Sequence, residues 1–383
     1  MTEREAYIAL NMMDQMGPVR ARALAEALGS LSAIFTAEPE ALRKAQGIGE
    51  EMAQAIVARR DRLDPAAEES KARLLGARLV TPLDEEYPEP LKTIYDPPLA
   101  LYVRGALEAR DRHAVALVGT RRATHYGLTV TDRLAYQLGK VGFTVVSGLA
   151  RGIDTAAHKG ALKAGGRTLA VIGSALDCLY PPENKELADR IAEHGAVISE
   201  YALGREPDRT TFPYRNRVIS GLSMGVVVVE AGSTSGALHT SDQALEQGRT
   251  VFAVPGRIDN PSARGPHKLL KGGARLVEDV EDILQEFEFL IPPEKKQKAA
   301  ELDSRPATIL TEPEQQVVRA LWSEALDTDT LARQLRLKAS EMGALLIGLE
   351  MKRIVRMLPG RLVDLADGLR ETQAGSLNSD AEH

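Results

Sequence analysis

The chain predicts an α/β protein: an extended Rossmann-like, doubly wound and mostly parallel sheet, with a small helical domain before it and a winged-helix-like domain after it. Three observations carry this reading. Apolar, β-branched runs recur at residues 114–118, 143–146, 168–172, 196–199, 226–229 and 250–254, and helical stretches separate most of them. Runs that are apolar on both faces belong to strands buried on both sides, and their alternation with helices belongs to a parallel sheet. Outside this region short helical segments and tight turns dominate residues 1–65 and 306–370, and 383 residues exceed one ordinary core.

In order along the chain, residues 1–65 read as a helical SAM or helix-hairpin-helix-like domain. Its turns, Met16-Gly17-Pro18 and Gly47-Ile48-Gly49, each precede a helical stretch. Such turns aim backbone N–H groups at a phosphate, and the alternative is a plain helical turn with Gly as C-cap. Residues 66–290 form the sheet domain. Its first part, 66–110, carries Pro82, Pro88, Pro90, Pro97 and Pro98 and reads as an extended connector with little regular helix. Residues 291–305 are a polar linker. Residues 306–370 hold three helices, at 317–322, 329–335 and 340–351, and a hairpin around Pro359-Gly360, the pattern of a winged helix. Residues 371–383 read as a disordered tail.

Composition narrows the function classes. The one cysteine, Cys178, excludes an internal disulfide and disfavours a cysteine zinc site; its apolar setting predicts a core thiol. No apolar run reaches membrane-spanning length, so a cytoplasmic protein is expected. The net charge of −6 argues only weakly against a nucleic-acid partner, because binding depends on where cations cluster. The 4% aromatic content leaves little for an extended base-stacking platform.

Ligands of doubly wound sheets sit beyond the strand C-termini, where this chain places its unusual residues. The first predicted strand ends in Gly119-Thr120-Arg121-Arg122, which is neither a dinucleotide fingerprint nor a P-loop but suits a phosphate; a structural arginine is the alternative. The second ends in Ser147-Gly148, followed by Arg151-Gly152 and Asp154. Asp154 is expected to cap the next helix, with His158 on its surface, in preference to a metal or acid–base pair. The fifth ends in Glu230 and a small-residue loop closing on Ser235-Gly236. Between the fourth and fifth strands, Phe212-Pro213-Tyr214-Arg215-Asn216-Arg217 sets two guanidiniums and an amide at a predicted helix start. There backbone N–H groups and the helix dipole add to the side-chain donors. The alternative is an arginine pair salt-bridged within its own domain. Convergence of four such segments on one sheet edge favours a phosphate-binding groove. With no Ser-His-Asp set, zinc cluster or paired carboxylates there, no catalytic residue, metal or cofactor is expected.

The strings VALVGTRRATHYG (115–127), SGLARGIDTAAHKGAL (147–162), GGRTLAVIGSALDCLYPPEN (165–184), FPYRNRVISGLS (212–223), VVVVEAGSTSGALHT (226–240) and RTVFAVPG (249–256) resemble the DNA-processing protein A family, DprA or Smf. The resemblance implies a non-enzymatic, dimerising protein that binds single-stranded DNA. It further implies loading of RecA onto DNA covered by single-strand-binding protein during natural transformation, with RecA a partner and single-strand-binding protein a further candidate. The family's phosphate loop falls on Gly119, Thr120 and Arg121, its F-x-x-R-N-R segment on Phe212, Arg215, Asn216 and Arg217, and a preceding basic residue on Arg209. The chain departs from the family at Pro182, where some members have lysine, and at His267, where they have asparagine. The enzyme alternative, a nucleotide-binding or phosphoribohydrolase-like protein on a related fold, requires a glutamate downstream of the Glu230 loop that this chain lacks. A duplex-reading winged helix is disfavoured by Glu341 and Glu350 on its third helix.

Overall fold

The computed structural model describes residues 1–13, 15–287, 311–322, 325–335, 337–351, 354–358 and 362–365. The chain divides into two compact units, Met1–Glu301 and Leu302–His383. The expected linker 291–305, the hairpin turn at Pro359-Gly360 and the tail 371–383 lie outside the described residues.

The first unit begins with α1 (Glu3–Asn11), α2 (Pro18–Leu28), α3 (Pro39–Leu42) and α4 (Glu50–Arg60), packed around Leu10, Leu24, Ile34, Leu42 and Ile56. Gly17 and Gly49 are the N-caps of α2 and α4 and not helix C-caps. The supposed connector holds more structure than its prolines suggested. Asp64 caps α5 (Pro65–Leu74), β1 (Ala77–Val80) and β2 (Leu101–Gly105) follow, and the short α6 (Glu89–Lys92) lies between them. The prolines at 82, 88, 90, 97 and 98 all fall outside the two strands and interrupt neither, and Pro88 and Pro90 sit at the start of α6.

The expected strands appear as β3 (Ala114–Val118), β4 (Thr144–Ser147), β5 (Thr168–Ile172), β6 (Ala196–Ser199), β7 (Gly225–Val228) and β8 (Thr250–Ala253). With β9 (Arg275–Leu276) they form a nine-stranded sheet of order β1-β2-β6-β5-β4-β3-β7-β8-β9. The pairs β1–β2 and β2–β6 are antiparallel and the rest parallel, in register through Ala116 with Val146 and Val226. The intervening helices are α7 (His125–Lys140), α8 (Ile153–Lys163), α9 (Lys185–His194), α10 (Thr211–Gly221), α11 (Gly236–Glu246), α12 (Arg264–Lys271) and α13 (Val280–Glu286). Valines and leucines of β3, β5 and β7 are fully or almost fully buried between the layers. From β3 the chain winds one way through β4, β5 and β6, and then from β7 the other way. The order therefore reverses between β3 and β7, which opens a crevice at the C-terminal ends of these two strands.

The second unit contains α14 (Glu312–Ala320), α15 (Thr328–Gln334) and α16 (Ala339–Met351), with β10 (Leu326–Asp327), β11 (Val355–Leu358) and β12 (Leu362–Leu365) in the order β10-β12-β11. Val317, Leu331, Leu346 and Val363 belong to its core. Helices on a small antiparallel sheet match the expected winged-helix pattern. No helix among the described residues is long and apolar enough to cross a membrane.

Candidate nucleic-acid interface

The crevice at the β3/β7 switch is organised by a residue that the sequence reading did not single out. Glu230, two residues beyond β7, is buried, and its main-chain oxygen accepts from Thr120 N at 2.7 Å. Its carboxylate accepts from Thr124 N (2.9 Å) and Thr124 Oγ1 (2.6 Å), while Thr124 itself caps α7. Glu230 thereby spans both walls and fixes the loop that carries Arg121 and Arg122. Beneath that loop Gly152 has φ +74°, and a Cβ there would stand 2.4 Å from Thr120 O; only glycine meets both conditions.

The helix bearing the Arg-Asn-Arg triplet starts earlier than expected, at Thr211, so the triplet lies one turn inside it. The first amides are not free. Asp208 Oδ1 accepts from Thr210 N at 2.7 Å and Thr211 N at 3.0 Å. Arg215 is buried and donates through Nη1 to Gly148 O (2.9 Å) and to Val171 O. Burial pulls its pKa down to about 10, still cationic at neutral pH, and the nearby charge of Asp154 opposes that shift. Asn216 spans from the Arg215 Nε to Gly236 O.

Arg217 departs from the expectation. Its side chain is 3% exposed and pairs with Glu200 and, at 3.0 Å, with Asp96, while the Tyr214 ring lies 4.1 Å from its guanidinium carbon. It is the internal ion pair that the sequence left as the alternative, on the opposite side of α10 from the crevice. A larger cavity of ≈ 1100 Å³ opens on that side, lined by Met13, Met16, Arg20, Glu200 and Tyr214. It contains none of the donor-rich strand ends.

The crevice itself is a cleft of ≈ 520 Å³. It is lined by Gly119, Thr120, Arg121, Arg122, Arg209, Phe212, Arg215, Asn216, Ser235 and Gly236, so most of the predicted residues do meet. Arg121, Arg122 and Arg209 are exposed, and none has a carboxylate within ion-pair distance among the described residues. The Arg121 guanidinium stands 4.8 Å from the Phe212 ring centroid, and the Cδ1 side of that ring packs on Gly173, where a Cβ would come within 2.8 Å of it. Gly148 and Arg151 border a small adjoining pit with Tyr180. Ser147 is outside the cleft, buried, with its hydroxyl donating to Leu117 O at 2.6 Å. Gly152 supports the floor without lining it.

The remaining expectations change as follows. Asp154 sits in the first turn of α8 and reaches back to accept from Gly148 N (3.1 Å) and Ala150 N (3.4 Å); burial raises its pKa against the pull of Arg215. His158 is not a surface residue. It is fully buried with Nδ1 2.7 Å from Thr168 Oγ1, and burial followed by the Arg215 charge lowers its pKa to about 3. No group of three metal-capable side chains occurs among the described residues. Cys178 is half-buried and not a core thiol, and burial and Asp177 raise its pKa, which makes it a poor nucleophile. His267 Nε2 lies 2.9 Å from Gly256 O, and Pro182 starts a short 3-10 turn, both away from the cleft lining.

Comparison with known proteins shows the family of the chain. The family model described as DNA recombination-mediator protein A matches residues 78–288. A SAM-like helix-hairpin-helix tandem matches residues 7–60, and a DprA winged helix domain matches 299–361. The chain is 39% identical to Protein Smf of Synechocystis over 72% of this chain and 70% of that protein. Among solved structures it resembles DNA processing protein A from Streptococcus pneumoniae (TM-score 0.66, 34% identity, 75% of this chain and 98% of that one). It also resembles DNA processing protein A from Helicobacter pylori, solved to describe its single-stranded DNA binding mode (TM-score 0.51, 30% identity, 56% of this chain and 97% of that one).

Proposed function

The chain belongs to the DNA recombination-mediator protein A family, and on that premise we propose that it binds single-stranded DNA in the Arg121–Phe212 cleft. In this reading it acts in the cytoplasm as a recombination mediator that helps load RecA onto the strand, in competence or other DNA processing, and works as a homodimer. Single-strand-binding protein is a further candidate partner in this reading. The observation that carries the reading is the set of three exposed arginines without carboxylate partners among the described residues, Arg121, Arg122 and Arg209, around one half-buried aromatic ring. Guanidiniums of this kind hold phosphates, and a single ring accepts any base, so affinity without sequence preference follows. The family's phosphate loop supplies Arg121 and its F-x-x-R-N-R segment supplies Phe212, with Arg215 and Asn216 forming the floor. The cleft's one lining carboxylate among the described residues, Asp154, is engaged with loop amides. This favours holding a strand over cleaving it.

The test is a fluorescence-anisotropy titration of oligo-dT and of a duplex of equal length, across a salt series, with wild type and Arg121→Ala. Single strands should bind more tightly. Losing one charge-assisted contact costs about 1.5–3 kcal/mol, and the log K against log salt slope should fall by about 0.7. Preference for duplex, or an unaltered Arg121→Ala, refutes the assignment.

A further inference from the structure

The small pit beside the cleft contains a second cation–aromatic pair that the function so far leaves unused. The Arg151 guanidinium carbon lies 5.6 Å from the Tyr180 ring centroid, and its Nη1 donates to Tyr180 Oη at 3.2 Å. Tyr180 in turn meets Phe212, with centroids 5.9 Å apart and planes tilted by 55°. Arg121, Phe212, Tyr180 and Arg151 thus form one continuous row, and the pit shares Arg121, Ala150 and Phe212 with the main cleft. Arg151 differs from the three exposed cleft arginines in one respect: its Nε is paired with the carboxylate of Glu183, both side chains about half exposed.

We propose that Tyr180 and Arg151 form a second nucleotide subsite next to the Phe212 one, and that Glu183 is the carboxylate a backbone phosphate displaces to occupy it. The inference rests on the single-strand reading above. An ion pair with 47% and 50% exposure is weak and salt-screened, so a phosphate that accepts from the guanidinium in its place exchanges one anion for another. Movement of Arg151 towards that phosphate uncovers the Tyr180 ring face, where the adjoining base stacks. Glu183 therefore acts as a specificity-determining residue. It charges each strand the loss of one ion pair at this position, and a ligand without a free base face to stack, such as inorganic phosphate or the interior of a duplex, recovers less in return. An extended single strand meets Phe212 and Tyr180 in succession.

The experiment uses the full chain with oligo-dT in the salt series, comparing wild type, Glu183→Gln, Glu183→Gln/Arg151→Ala, Tyr180→Leu and Arg121→Ala, each first checked for wild-type circular dichroism. Glu183→Gln should bind several-fold more tightly with a slope steeper by up to about 0.7, one phosphate contact having lost its internal competitor. The double variant should lose that gain. Tyr180→Leu should weaken binding about fivefold or more with the slope unchanged, because stacking releases no counterion. Should Tyr180→Leu fold poorly, quenching of 2-aminopurine in the oligonucleotide reads the stacked base, and it should increase in Glu183→Gln. The subsite is overturned if Glu183→Gln matches wild type in affinity, slope and quenching while Arg121→Ala still weakens binding. If Arg121→Ala is also without effect, the parent reading fails with it.

Discussion

Arg215 and Arg217 are equivalent in the family motif and opposite in the structure, and the difference is measurable. Replacing Arg217 by Met keeps the aliphatic stem under Tyr214 and removes the charge between Glu200 and Asp96. Removing one partner from a buried ion pair costs about 3–5 kcal/mol, because the surviving charge is left uncompensated. The lower end applies here: Asp96 keeps 21% of its side-chain exposure, and Glu200, at 9%, is already pushed up in pKa by burial. A loss of about 3 kcal/mol is roughly two decades in the opening equilibrium. Hydrogen exchange of α10 and β6 amides in the full chain should therefore accelerate about 100-fold relative to wild type. The sign with pH is also determined. Without Arg217 the Glu200 pKa rises further, so the folded state takes up a proton that the unfolded chain, near the ordinary value, gives up. The deficit should shrink as the pH falls from 8 to 5. Oligo-dT affinity at a temperature where the protein stays folded should change little. Wild-type exchange together with binding losses as large as those of Arg121→Ala would place Arg217 in the path of the strand and refute the burial argument.

Two further outcomes follow from the same geometry. Gly173→Ala puts a methyl 2.8 Å from the Phe212 ring and should push the ring off its seat. Stacking of a base on an aromatic is worth about 1–3 kcal/mol, so oligo-dT binding should weaken by up to that amount; full affinity would show that Phe212 only packs. His158 is neutral and buried with Nε2 unpartnered, and its pKa falls from 6.5 in the unfolded chain to about 3 in the fold. Between those values the unfolded chain binds more protons, so stability is complete above pH 6.5 and lost as pH falls. Over one and a half units this amounts to roughly 2 kcal/mol. His158→Gln should remove that share of the acid sensitivity in urea midpoints measured at pH 7 and pH 5, and an unchanged pH dependence would show that other groups carry it.

How much of this was legible in the sequence depends on whether a signal is local. The parallel strands are local: runs such as Val226 to Val229 are apolar at every position, which only a strand buried on both faces tolerates. Because the donor-rich segments follow those strands directly, the loops of the cleft could be named as well. β1, β2 and α5 were missed because a proline-rich composition outweighed a short strand and an Asp64-Pro65 helix start. The roles of Glu230 and Glu183 depend on residues 106 and 32 positions away, which no spacing rule reaches.

The orientation of the Arg-Asn-Arg triplet is a different case, since it follows from helix geometry once the helix start is correct. Residues two apart on a helix point about 200° away from each other, so Arg215 and Arg217 cannot serve one groove. With the helix starting at Thr211, Phe212, Arg215, Asn216 and Ile219 fall at i, i+3, i+4 and i+7, and all four line the cleft. Tyr214 and Arg217, also three apart, meet on the other face. The same reasoning applies to α8, where Asp154, Ala157, His158 and Ala161 share one face at the same spacing and are all buried; His158 could not have been a surface residue beside a buried Asp154. The motif as a string therefore combines two functions. One face of α10 supplies the floor of a phosphate cleft, and the other anchors the helix to Glu200 and Asp96, which holds that floor in place.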